Sequence, residues 1–120
     1  MEIRNVLERL KLLTNDDRED LLLMLSGDAV QRLKARLCCT EEEENAQEEA
    51  LCAAAAAQAA YQFWLLEEAA SPKSLTAGEV RAEFDKGSER ALAYAKQCER
   101  AVSGLLRDED FYFGATEGTV

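Results

Sequence analysis

The stretch SLTAGEVRAEFDKGSE, residues 74–89, decides how the chain is read. Val80, Ala82 and Phe84 alternate with Glu79, Arg81, Glu83 and Asp85, which is the period of a half-buried strand. Gly78 and Gly87 bracket it, and a glycine backbone can swing where other residues cannot. The alternation predicts one short strand in a chain whose remaining pattern is helical.

Working back towards the N-terminus, Pro72 in SPK at 71–73 pushes the preceding residue out of the α region and so ends a helix. That helix is expected from Glu41 to about Ala69, ~43 Å at 1.5 Å per residue. Ala46, Ala50, Ala53, Ala57, Ala60 and Trp64 form a seam along it at alternating spacings of four and three. Small seam residues let a neighbouring helix approach towards the short end of the usual ~8–10 Å. High helix propensity explains the alanines equally well. Thr40 and Glu43 have capping-box spacing, and the acidic run TEEEE lies where a helix N-terminus favours negative charge.

Further back, MEIRNVLERLKLL sets Ile3, Val6, Leu7, Leu10 and Leu13 on one helical face. Asp16 and Glu19 again have capping-box spacing, so a second helix is expected from near Asp16. Its apolar face runs through Leu21, Leu22, Leu25, Ala29, Leu33 and Leu37, with a kink expected at Ser26-Gly27-Asp28. In the other direction, Ser88 is expected to cap a last helix through about Leu106, with Ala91, Ala95, Cys98, Val102 and Leu105 inward. The predicted fold is all-α: a small bundle of about four helices with one extended segment between the last two. Residues 1–107 form the domain, with the extended segment at 74–87, and 108–120 form an aromatic-containing tail.

Composition narrows the function. With 120 residues the chain is expected to be one domain that buries somewhat over ~60% of its unfolded surface. Lys and Arg total 14 against 24 Asp and Glu, a net charge of -10, and the cations are scattered. Direct gripping of a nucleic-acid backbone needs clustered cations, so it is not expected. No window approaches the ~18 apolar residues of a membrane span, so neither a membrane partner nor a membrane location is expected.

Histidine is absent, which removes imidazole catalysis and the Glu-x-x-His di-iron bundle. Cys38, Cys39, Cys52 and Cys98 lack CxxC spacing and are read as reduced thiols rather than a zinc site. Glu41, Glu44 and Glu48 share a helical face and could meet a cation, but nothing nearby would desolvate them, so a solvated charged face is expected. The glycines are isolated and form no phosphate loop. Gln31, Arg32, Lys34 and Arg36 match a DNA-reading helix only weakly. No catalytic residue, metal site or cofactor is assigned, and the protein is expected not to be an enzyme.

Several phrases occur in a telling order: VLERLKLLTNDDREDLLLML at 6–25, ALCAAAAAQAAYQFWLL at 50–66, TAGEVRAEF at 76–84 and LLRDEDFYF at 105–113. In this order they resemble the small helical head-tail connector, or head-completion adaptor, proteins of tailed bacteriophages. The resemblance spans most of the chain. It implies a ring of about a dozen subunits seated on the portal, facing the next neck or tail component, with DNA only as cargo. Assembly would take place in the host cytoplasm and the final location would be the virion neck. The chain departs from the family pattern in its alanine richness and in lacking a clear basic surface.

A lone strand leaves backbone donors and acceptors unpaired and so invites pairing with another chain. Gly78, Val80, Ala82 and Phe84 are therefore the expected subunit-assembly residues, the alternative being a flap over the chain's own core. Phe111, Tyr112 and Phe113 are the expected partner contact, because exposed consecutive aromatics commonly mark contact surfaces. Their alternative is to cover the base of the bundle. A cytoplasmic helical adaptor or regulator is the competing functional class.

Overall fold

The computed structural model describes residues 1–70 and 78–107, with side chains outside 78–86. Five α-helices occur among them: α1 (Ile3–Thr14), α2 (Glu19–Arg36), α3 (Glu41–Ala46), α4 (Glu48–Ala70) and α5 (Gly78–Ala101), followed by a 3-10 turn at Ser103–Leu105. The all-α bundle expected from the sequence is the observed fold.

Helix α4 is its axis. Helices α1, α2 and α5 each pack against it, and α1 also packs on α2. Leu51, Cys52, Ala54, Ala55, Ala56, Ala57, Ala59, Ala60 and Phe63 are all buried, so burial runs around the helix rather than along one seam. A helix apolar on all sides belongs inside. Alanine at consecutive positions lets several neighbours approach it closely, so the seam of one residue in three or four understates its role. Leu10, Leu22 and Leu51 are the largest fully buried side chains and tie α1 and α2 to α4, each contributing about 2 kcal/mol through burial.

Local chemistry sets the ends of the elements. Asn15 closes α1 in the left-handed region (φ 53°, ψ 41°), donating its N–H to Lys11 O at 2.8 Å, a common helix stop. The capping box at Thr40 and Glu43 forms in both directions. The one expected at Asp16 does not. Asp16 instead accepts from the Arg18 backbone and guanidinium, and α2 begins at Glu19. Helix α2 also runs unbroken past Gly27, without the expected kink. The single helix expected from Glu41 is split at Gln47, because α3 has no buried residue to hold it in line and carries four glutamates in its first turn.

The main correction concerns the opening stretch. Residues 78–84 are not a strand but the first turns of α5, while 74–77 lie outside the described residues. The alternation of Val80, Ala82 and Phe84 is too short to exclude a helix. Val80, Phe84, Gly87, Ala91, Ala95, Cys98 and Val102 continue at spacings of four and three, so the period of the last helix extends back through the supposed strand. Glu, Arg, Ala and Lys there are good helix formers, and Ser88 lies within the helix rather than at its cap. Gly87 is the close-packing position: a Cβ there would meet the Trp64 ring at 3.2 Å.

The β-type pairing found among the described residues is elsewhere. Leu37 and Leu106 form an antiparallel bridge, with Cys38 N donating to Leu105 O (2.9 Å) and Arg107 N to Arg36 O (2.8 Å). It ties the end of α2 to the chain leaving α5.

Candidate functional site

The expected assembly residues Gly78, Val80, Ala82 and Phe84 lie in the first turns of α5. As helix, their carbonyls and the amides from about Ala82 onward bond within the element, so they present no exposed strand edge for pairing. Phe111, Tyr112 and Phe113 lie outside the described residues.

The acidic face expected of Glu41, Glu44 and Glu48 divides. Glu41 is exposed in α3, whereas Glu44 and Glu48 hold the Met1 ammonium at 3.4 and 3.3 Å. Glu48 also accepts from the Glu2 backbone (3.1 Å) and from Cys52 Sγ (3.4 Å). Partial burial pushes the Glu48 carboxyl up, but the hydrogen bonds from Cys52 and the terminal ammonium outweigh it and leave the group below its ordinary value. This is a structural clasp between the start of α1 and α4. Among the described residues no group of acidic side chains and thiols could hold a metal ion.

The four cysteines are free thiols. Burial raises Cys52 and, with Glu43 and Glu44 nearby, Cys39, which disfavours the nucleophilic thiolate. Of the weak DNA-reading set, Arg36 is buried and paired with Glu99, so it faces inward. Its Nη2 also donates to Arg107 O (3.1 Å), while Arg107 Nη2 donates to Ala35 O (3.1 Å). These bonds surround the Leu37–Leu106 bridge. At the opposite end of α2, Arg18 joins Asp16 and Glu67 and lies 5.5 Å from the Phe63 ring centre.

Among the described residues an apolar groove of about 660 Å³ opens along α2 beside the start of α1. Ile3, Leu23 and Met24 line it while 43%, 47% and 53% exposed, and Gly27 and Val30 form its floor. A Cβ at Gly27 would meet nothing within 4 Å. Asp28, Gln31 and Lys34 supply its polar margin. The sequence carried a signal for it. The run Leu21-Leu22-Leu23-Met24-Leu25 covers more of a helix circumference than one inward stripe can bury, and Leu23 and Met24 are the two that face out.

Among the described residues no helix is long and apolar enough to cross a membrane. No family model, no curated protein and no solved structure matches this chain.

Proposed function

We propose that this chain is a non-enzymatic structural protein of a phage or prophage neck, assembling as a ring between the portal and the next neck or tail component. The observation that carries the reading is the ordered set of phrases at 6–25, 50–66, 76–84 and 105–113, which spans nearly the whole chain. The fold supports it. A plate-like body of 51 × 37 × 18 Å offers broad faces for lateral packing, and Ile3, Leu12, Leu23 and Met24 are apolar side chains exposed on it. DNA is cargo in this reading: a surface of net charge -10 repels phosphates and lets the genome pass without adhering.

Gly78, Val80, Ala82 and Phe84 remain the proposed subunit-assembly residues, now as a helical contact, and Phe111, Tyr112 and Phe113 the proposed partner contact. The protein acts in the host cytoplasm during assembly and in the virion neck afterwards. The test is to tag the chain in its source strain, induce prophage by DNA damage, purify particles and quantify the chain against the portal subunit. A ring-like ratio is expected. Absence from particles overturns the reading.

The exposed groove on α1 and α2 favours a second reading, a cytoplasmic helical adaptor or regulator that binds a protein segment. The buried alanines of α4, Ala54 to Ala57, Ala59 and Ala60, cannot serve that purpose, because α1, α2 and α5 already cover them. Recovery of one soluble partner at low stoichiometry, with no particle association, is the outcome that selects this reading.

A further inference from the structure

We propose that two copies of this chain pair through the exposed face of α2, antiparallel about a two-fold axis at Gly27. The inference concerns the free chain in solution and does not rest on the neck assignment.

Gly27 is the starting observation. Glycine inside a helix weakens it, because the unfolded chain gains backbone freedom. Nothing within the chain requires one here: α2 runs unbroken through the position, no glycine among the described residues has a positive φ, and a Cβ would meet nothing within 4 Å. What a missing side chain does offer is close approach from outside, which a second helix can use.

The residues around it fit such a helix. At about 100° per residue, Asp20 and Lys34 lie within about 20° of Gly27 on the helix surface, Leu23 and Gln31 within about 40°, and Met24 and Val30 within about 60°. Asp20, Leu23, Met24, Gln31 and Lys34 are exposed, Val30 floors the groove between them, and Ile3 of α1 gives it an apolar rim. Positions 20, 27 and 34 repeat at seven with apolar Leu23, Met24 and Val30 between them, the spacing of a two-helix seam.

Charge selects a second copy as the occupant, and the antiparallel direction. In an antiparallel pair centred on Gly27, a residue seven places before it comes level with one seven places after it, about 10.5 Å from the axis. Asp20 of each copy therefore meets Lys34 of the other, two ion pairs by symmetry, while Leu23 and Met24 come level with Val30 and Gln31. Among the described residues neither Asp20 nor Lys34 takes part in an ion pair within the chain. A parallel pair would set Asp20 against Asp20 and Lys34 against Lys34. Asp28, at the margin, stands near its own counterpart, and each chain carries a net charge of -10, so both oppose the contact. At ~0.15 M salt a screening length of ~8 Å confines the long-range repulsion and leaves pairs at contact. One helix pair is small for an interface, so a weak dimer is expected, populated near ~100 μM chain.

The experiment is sedimentation equilibrium of the full chain up to ~1 mM in ~0.15 M salt, with a thiol reductant so that the free cysteines cannot link copies. Wild type is expected to show reversible monomer-dimer exchange. Asp20→Lys and Lys34→Glu should each weaken it about tenfold, since each sets like charges together at both ends of the pair. An equimolar mixture of the two variants should regain the wild-type affinity, because the mixed pair sets opposite charges together at both ends. The dipole of α2 favours the same charges at its termini, but mixing cannot repair a dipole, so recovery reads the contact alone. Circular dichroism should show the helical signal retained in each variant. A wild type that stays monomeric overturns the proposal and leaves the groove to a different protein. Dimerisation unchanged by either substitution, or no recovery on mixing, overturns it as well. Where a charge variant loses its helical signal, Gly27→Gln decides alone: it should raise the melting temperature of the dilute chain and weaken the dimer, and an equal or tighter dimer overturns the proposal.

Discussion

Ser26 is fully buried in α2, and its hydroxyl has no hydrogen-bond partner among the described residues. A buried polar group without a partner keeps its desolvation penalty. Ser26→Ala should therefore raise unfolding free energy by about 1 kcal/mol, read from urea titration. Glu48 gives the opposite kind of residue effect. Its carboxyl is lowered in the folded state from an ordinary value of 4.5, so its stabilisation is present above that value and is lost as pH falls through the lower folded one. Glu48→Gln should destabilise the chain at pH 7, and the gap to wild type should narrow as pH falls below 4.5 in matched urea melts. A gap unchanged across that range would mean that the clasp with Met1 and Cys52 contributes through packing alone.

At the scale of elements, α5 is the informative case. Its amides from about Ala82 onward bond within the helix, so Ala82→Pro should cost about 3 kcal/mol, whereas an edge strand would lose far less. Thermal melts of that variant check the assignment directly. Helices α1, α2 and α4 were legible because each carries an apolar repeat over three or more turns. The start of α5 was misread because three alternating residues fit both periods, and only its continuation through Gly87, Ala91 and Ala95 separates them. The break at Gln47 was illegible for a different reason: Thr40 and Glu43 signal the start of α3 correctly, but nothing in EEEENAQEE shows that it buries no residue. The groove was partly legible in Leu21–Leu25, whereas the bridge was not. Leu37 and Leu106 are single residues brought together from opposite parts of the chain, and no local pattern encodes such a pairing.

For the whole molecule, the pair Arg36–Glu99 is the contact that fixes α2 against α5. Arg36 is 7% exposed, so removing it strands the Glu99 carboxylate in a half-buried setting and leaves the Arg107 carbonyl without its guanidinium donor. Arg36→Met should lower global stability by about 3 kcal/mol, with the Glu99→Gln variant losing less, by denaturant titration of each. The core itself is otherwise carried by α4, whose alanines leave little room for larger side chains on any side. Outside that axis, Ile3, Leu23 and Met24 remain among the exposed large apolar side chains.

The Leu37–Leu106 bridge also determines where tension would go. A pull on the chain beyond Arg107, directed along α2, would not peel α5 from its end one bond at a time. It would load the Cys38–Leu105 and Arg36–Arg107 backbone bonds together, in shear, with the Arg107–Ala35 contact beside them. Force applied at the tail is thereby handed to the base of α2 and through it to the α4 axis, so a subunit held by its C-terminal segment would be anchored through its core.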